Sequence, residues 1–243
     1  MDLRNRVLLL LPGWLRALLR HLRSRQLLSP HARASFSQEG EDLVLHRLFE
    51  RQPHGFYVDV GAHHPARFSN TKLLYDRGWH GINIDPTPGC MDAFHRARQR
   101  DVNLELAISD VDEVRHLFVF DEPALNSLSE ELSYHRNRNT DYTLGREVEV
   151  RSRTLADVLA EHLPLDVTTI DLLSIDVEGY DLDVLKSNDW DRFRPRVVVI
   201  EVLRASLGDL PDAEEIQFLT KRGYRLYAKL VNSVVLRDEA ELD

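Results

Sequence analysis

From Ser37 onward, short runs of β-branched and aliphatic residues alternate with longer stretches whose apolar positions recur every three or four residues. Parallel strands joined by crossover helices produce that alternation, so the chain reads as a doubly wound α/β sheet. The first half predicts a helix over 41–51, a strand over 56–60, a helix over 70–77, a strand over 81–85, a helix over 89–98 and a strand over 103–108. A β-like piece over 116–120 precedes a polar stretch, 121–145, that breaks the periodicity and reads as an insertion or lid. The pattern resumes with a strand over 147–151, a helix over 155–162, a strand over 170–175, a helix over 182–187, a strand over 196–202 and a helix over 213–222. The last two runs, 224–230 and 233–236, stand too close together for a helix between them and predict an antiparallel hairpin.

Residues 1–36 follow a different pattern. The run Val7–Leu11 stops at Pro12-Gly13, short of the roughly 20 apolar residues a membrane span requires. No small-residue cleavage site follows it, which argues against an export signal. Farther on, Trp14, Leu15, Leu18, Leu19 and Leu22 recur at helical spacing with Arg16, Arg20 and Arg23 between them. Such a basic amphipathic helix suits peripheral contact with an anionic membrane; packing on the domain or on a second copy of the chain are the alternatives.

Charge sharpens that division. Seven arginines and one acid precede Ser37, so this segment carries about +6 while the rest carries about −15 of the total of −9. An acidic domain argues against general nucleic-acid binding, which needs a basic surface. The single cysteine, Cys90, excludes an internal disulfide framework and suits a reducing compartment, so the expected location is cytoplasmic, with peripheral attachment at the inner face of the membrane as the variant. The length accommodates one core, and the expected organisation is a basic helical segment over 1–36 and one domain over 37–243.

In an open α/β sheet, ligands bind at the carboxyl ends of the strands, near the point where strand order reverses. The first predicted strand ends in Asp59-Val60-Gly61-Ala62, where glycine permits a sharp turn and close approach to a ligand. The second ends in Asp85, twenty-six residues after Asp59, a carboxylate suited to both hydroxyls of a ribose. The third ends in Ser109-Asp110, polar enough for an adenine amino group, and the fourth in Asp176-Val177-Glu178-Gly179. A nicotinamide dinucleotide needs three glycines to cradle its pyrophosphate, and His63 and Pro65 stand where the later two belong. S-adenosylmethionine has no phosphate and carries a positive sulfur, so an acid-rich pocket with one early glycine matches it better.

The phrases SQEGEDLVLHRLF, GFYVDVGAHHPARFSNTKLLYDRGWHGINIDPTPG, LSIDVEGYDLDVLKSNDW and RPRVVVIEV, in that order from Ser37 to Glu201, resemble the FkbM family of methyltransferases. The resemblance implies a class I methyltransferase (Rossmann-like) fold, mostly parallel with a C-terminal antiparallel hairpin. It also implies S-adenosylmethionine as methyl donor and O-methylation of a hydroxyl on a sugar, glycan or related natural product. Carried over by position, Asp59 and Gly61 match the first cofactor motif, Asp85 the ribose acid and Ser109-Asp110 the adenine-side turn. Gln38 and Asp42 belong to the leading SQ-x-x-ED phrase, and Asp176 and Glu178 to ID-x-EG. Many members have an Asn and a further Gly where this chain has His63-His64-Pro65, so the contacts of that turn differ here.

Methyl transfer to oxygen needs an aligned acceptor and removal of its proton. His64 is the first candidate base and His63 the second; each has the plainer alternative of packing or capping the helix that follows. Asp176 is expected to face the pocket, with Glu178 alternating from it, to orient the acceptor hydroxyl or take its proton; capping the next helix is the alternative. Asp176, Glu178 and Glu201 also have the chemistry to gather a divalent ion, but nothing in the sequence fixes a geometry and no metal is assigned. Asn126 to Arg138, with Tyr134, His135 and Arg136, suits an acceptor lid or a plain solvated loop. Cys90, Trp79 and Trp190 read as packing residues. Two other classes compete: a nucleotide-sugar enzyme using NAD, and a non-catalytic binding module that keeps the fold without its chemistry.

Overall fold

The computed structural model describes Pro12, residues 31–203 and residues 205–241. The chain divides into two units, Met1–Ser35 and Phe36–Asp243, and the helix expected over 14–28 lies outside the described residues. Among the described residues no helix is long and apolar enough to cross a membrane.

In chain order the second unit runs α1 (Glu41–Leu48), β1 (Phe56–Val60), α2 (Lys72–Asp76), β2 (His80–Ile84), α3 (Met91–Ala97), β3 (Val102–Leu104), β4 (Ala107–Ile108), β5 (Glu113–Phe120), α4 (Glu130–Asn139) and β6 (Leu144–Arg153). It continues with α5 (Leu155–His162), β7 (Leu172–Ile175), α6 (Asp181–Lys186), β8 (Val197–Glu201), α7 (Glu214–Thr220), β9 (Tyr224–Lys229) and β10 (Ser233–Asp238). Seven strands form one sheet in the order β3-β2-β1-β7-β8-β10-β9. All neighbours up to β8 are parallel, and β10 pairs antiparallel with both β8 and β9. The fold is therefore the expected α/β one, a mostly parallel sheet closed by a C-terminal antiparallel hairpin. β1 leads to β2 and β3 on one side while β7 and β8 extend the other, so strand order reverses between β1 and β7.

Burial on both faces explains why the central strands read as continuous apolar runs. All five residues of β1 are buried, and their side chains alternate between two cores. Val58 and Val60 join Leu155, Leu159, Val184 and Leu219 from α5, α6 and α7 on one face. Tyr57 joins Leu45, Leu74 and Trp79 on the other, under α1 and α2.

The structure departs from the sequence expectation in three places. The strand expected over 103–108 is two strands in different sheets: β3 pairs with β2, and two residues later β4 pairs with β6. The apolar run continues through Leu104 and Leu106, so the change of partner leaves no mark in its pattern. β5 and β6 are longer than expected, pairing from Glu113↔Ser152 to Phe120↔Leu144, because charged residues fill their outward positions and hide the ends. The polar stretch contains a helix, α4, whose N-cap Ser129 accepts the Leu132 N–H at 3.3 Å. Glu130 and Glu131 in the first turn and Arg136 and Arg138 in the last complement its dipole. That signal was present in the sequence, but the near absence of an apolar face concealed it.

Asp171 ties the amino ends of three strands together. Its carboxylate accepts the Phe56 N–H at 2.9 Å, the Gln52 side chain at 2.8 Å and Arg196 at 3.1 Å. Asp171→Ala leaves a buried backbone N–H without its acceptor and is expected to cost about 2 kcal/mol. Urea unfolding checks this; a midpoint equal to that of the native chain would show that the hydrogen bonds are dispensable.

Candidate active site

The carboxyl ends of β1, β2 and β7 open onto a cavity at the point of strand reversal. Its floor begins at Gly61. There the chain turns with φ +81°, and the Gly61 and Ala62 N–H groups both donate to the Ile84 carbonyl, at 2.9 and 3.1 Å. A Cβ on Gly61 would stand 1.8 Å from the carbonyl oxygen of Asp176, so only glycine lets the ends of β1 and β7 come this close.

Asp85, buried just past β2, faces this cavity. One of its oxygens accepts the His63 N–H at 2.9 Å and the other the Thr87 N–H at 2.8 Å. The first bond holds His63 in the left-handed region, φ 53°, which a residue with a Cβ seldom adopts. Each carboxylate oxygen has two acceptor sites, so Asp85 keeps capacity toward a ligand. Leu106, Ala107, Ile108 and Leu117 supply an apolar wall.

The roof comes from the polar insertion. Pro123, Ala124, Asn126, Ser127 and Leu128 line the cavity, so the stretch read as a lid does lie over it. Three contacts fasten it: Asn126 Nδ2 donates to Thr87 Oγ1 at 3.1 Å, the Ser127 hydroxyl donates to the Glu178 carbonyl at 2.7 Å, and Arg67 pairs with both oxygens of Glu122 at 2.8 and 2.7 Å. The Arg67 guanidinium holds the Glu122 carboxyl down at about 2.

Of the sequence-predicted site residues, Gly61, His63, Asp85, Asp176 and Glu178 meet in the cavity wall, with Asn126 of the predicted lid. The others stand elsewhere. Asp59 accepts the Thr71 hydroxyl at 2.9 Å inside the protein, where burial raises its carboxyl above the usual range. Asp42 is buried and accepts the Phe36 N–H at 2.6 Å and the Ser37 hydroxyl at 2.8 Å, fixing the chain at the entry to α1, while Gln38 is exposed. Ser109 is buried at the corner between β4 and β6, and its hydroxyl donates to the exposed Asp110 at 3.2 Å; the cavity wall at this level is Leu106, Ala107 and Ile108 instead. His63 lines the cavity and His64 does not: His64 Nδ1 accepts the Ala66 and Arg67 N–H groups at 3.1 and 2.9 Å, capping the turn that follows. Burial lowers the His63 ring below the ordinary imidazole value, against the pull of Asp85 in the other direction.

Beyond β7, Asp181 folds the ID-x-EG phrase back on itself, accepting the Val177 and Gly179 N–H groups at 3.4 and 3.1 Å. The turn places Glu178 at φ 54° and Gly179 at φ 94°. Glu178 forms an ion pair with Arg136 of α4. One carboxylate oxygen of Asp176, one of Glu178 and one of Glu201 lie within 4.8 Å of one another. Burial raises the Asp176 carboxyl well above the usual range, and the charge of Glu178 adds to this. Burial likewise raises Glu178, opposed by Arg136, and pushes Glu201 up to about 11. Arg136 and Asn126 to Leu128 fall in the stretch read as a lid, but Pro123 and Ala124 precede it, and the pairing of Arg136 with Glu178 is one that no local pattern announces.

The Methyltransferase FkbM domain matches residues 59–226. The chain belongs to the FkbM methyltransferase family. The matched span of this FkbM chain begins at Asp59 in β1 and ends in β9, so it contains every cavity-lining residue named above. No curated protein matches the sequence. Among solved structures, the FkbM chain is similar to a precorrin-6y C5,15-methyltransferase from Geobacter metallireducens, at 13% identity over 80% of this chain and 85% of that one, with a TM-score of 0.39. A TehB-like SAM-dependent methyltransferase from Corynebacterium glutamicum matches at 12% identity over 90% and 96%, with a TM-score of 0.38. An O-methyltransferase from Bacillus cereus in complex with SAH matches at 10% identity over 94% and 91%, with a TM-score of 0.39.

Proposed function

We propose that this FkbM methyltransferase binds S-adenosylmethionine in the cavity below the insertion and methylates a hydroxyl of a sugar, a glycan or a related natural product. The observation that carries the reading is Asp85, a buried carboxylate after β2 facing a cavity at the strand reversal. A ribose needs such an acceptor, and the apolar wall of Leu106, Ala107, Ile108 and Leu117 suits an adenine. The residues present fit this cofactor better than a dinucleotide. After Gly61 the chain carries Ala62, His63 and His64, with no further glycine to let a pyrophosphate approach the backbone. Asp176 and Glu178 also line the cavity with carboxyl oxygens, which suit a sulfonium and offer no donor to a diphosphate.

When bound, S-adenosylmethionine supplies a methyl group on a positively charged sulfur, and the carbon–sulfur bond breaks as the carbon–oxygen bond forms. The protein's share is alignment. Gly61 brings β1 and β7 together, Asp85 would fix one end of the ligand, and Asp176 and Glu178 would accept hydrogen bonds from the acceptor hydroxyl, one of them as carboxylate taking its proton as the methyl group arrives. The roof of residues 123–128 keeps water from the reacting atoms.

The test is transfer of a labelled methyl from S-adenosylmethionine to neutral sugars and glycans, with the same acceptors fully O-blocked as controls. Label is expected on free hydroxyls only. Transfer to nitrogen or carbon acceptors alone would leave the methyltransferase standing and remove the sugar hydroxyl from the reading.

A further inference from the structure

The turn that follows β1 is held against its own preference. Two of its residues with side chains sit in the left-handed region, His63 at φ 53° and Phe68 at φ 56°. A residue with a Cβ adopts that region at a cost, and it persists only where the surroundings over-determine the backbone. The same turn serves the site: His63 lines the cavity, and Arg67 fastens the roof through Glu122. Asp85 holds the turn at its start, by the His63 N–H.

The middle and the far end are held from the core. Arg98, immediately after α3, is fully buried. Its Nε and Nη2 both donate to the Pro65 carbonyl, at 3.1 and 2.9 Å, and Nη2 also donates to the Ser69 hydroxyl at 3.0 Å. Nη1 instead donates to the Tyr57 hydroxyl at 3.0 Å and stands 3.8 Å from the Asp101 carboxylate. Asp101 in turn accepts the Gly81 N–H at 3.0 Å and the Asn83 side chain at 2.9 Å, so the charge that balances Arg98 is fixed to β2.

Taking a guanidinium out of water costs free energy unless its donors are met, and here most of the fork meets the turn. Neutralising Asp101 alone would call for a closer pair than 3.8 Å. Burial and the charges of Arg67 and Arg98 also lower the His64 ring below the ordinary imidazole value. The neutral ring is the form whose Nδ1 accepts the Ala66 and Arg67 N–H groups, so the buried cation favours the cap inside the turn as well.

We propose that Arg98 is a positioning residue of the cofactor site, locking residues 63–69 in the strained turn that sets His63 in the cavity wall and Arg67 against the roof. Arg98 does not itself line the cavity. The lock stands on this geometry alone; its effect on cofactor binding rests on the methyl-donor reading above.

The experiment compares the native full chain with Arg98→Lys, which keeps a charge facing Asp101 and loses the planar fork that grips Pro65. Calorimetry reads the affinity for S-adenosylhomocysteine, mass spectrometry reads amide hydrogen exchange over residues 63–69 without ligand, and thermal unfolding establishes that each variant is folded. Arg98→Lys is expected to bind about tenfold more weakly and to exchange the turn about tenfold faster. Tyr57→Phe removes a partner of the same guanidinium outside the turn. It is expected to unfold at a lower temperature while keeping native affinity and native exchange in the turn. If Arg98→Lys does not fold, Ser69→Ala decides, because it removes one acceptor within the turn. Binding about threefold weaker and faster exchange are expected of it, and native exchange would overturn the lock. Native affinity in a folded Arg98→Lys would overturn the proposal. So would an affinity that falls equally in Tyr57→Phe, since Arg98 would then act through stability alone. A native chain that ignores S-adenosylhomocysteine strikes the cofactor reading instead; faster exchange of the turn in Arg98→Lys would still support the lock, and native exchange would overturn it.

Discussion

Gly61→Ala is expected to lower stability by about 3–5 kcal/mol and to abolish cofactor binding in whatever protein still folds. Two costs combine. The backbone at Gly61 sits at φ +81°, a region L residues adopt at a penalty of about 1–2 kcal/mol. The added Cβ would stand 1.8 Å from the Asp176 carbonyl oxygen, and that oxygen belongs to backbone, so β7 must move away from β1. The movement loosens the Asp176 N–H bond to the Val60 carbonyl, now 3.0 Å, and shifts Asp176 and Glu178 with it. Gly89→Ala separates the two costs, because Gly89 has φ +80° but nothing within 4 Å of its Cβ position. Thermal unfolding and titration with S-adenosylhomocysteine read both variants. Equal losses in the two would assign the effect to dihedral strain alone and remove the argument from close approach.

Asp85→Ala is expected to weaken S-adenosylhomocysteine binding by about 100-fold, the worth of roughly two hydrogen bonds to an ionised acceptor. Some stability goes too, because the His63 and Thr87 N–H groups lose their acceptor. Asp85→Asn retains one acceptor oxygen and is expected to fall between the native chain and the alanine variant. Calorimetry on folded variants distinguishes the outcomes. Unchanged affinity in Asp85→Ala would mean that the ribose acid has been misassigned, whatever becomes of the fold.

The sheet was legible in the sequence where burial is two-sided. Phe56–Val60 and Leu155–His162 have the bounds that periodicity assigned, because both present uniform apolar faces to a core. Legibility failed where partner choice decides. Leu104 and Ala107 belong to different sheets although nothing polar separates their strands except Glu105, which turns out to accept the Gly89 N–H at 2.8 Å. The same holds for the site. Gly61 and Asp85 were readable because a strand end fixes where each must stand. His63 and His64 were not separable, since one left-handed residue decides which of two adjacent rings enters the cavity. Arg136 meets Glu178 across 42 residues, a pairing set by the β5–β6 hairpin and α4 and not by any local signal.

The most direct measurement is calorimetric titration of the native chain with S-adenosylhomocysteine, beside NAD in the same buffer. The account predicts one site per chain with a dissociation constant of about micromolar for the former and no measurable heat for the latter. Binding of NAD alone would contradict it, and absence of both would leave a methyltransferase fold whose cavity does not hold the cofactor.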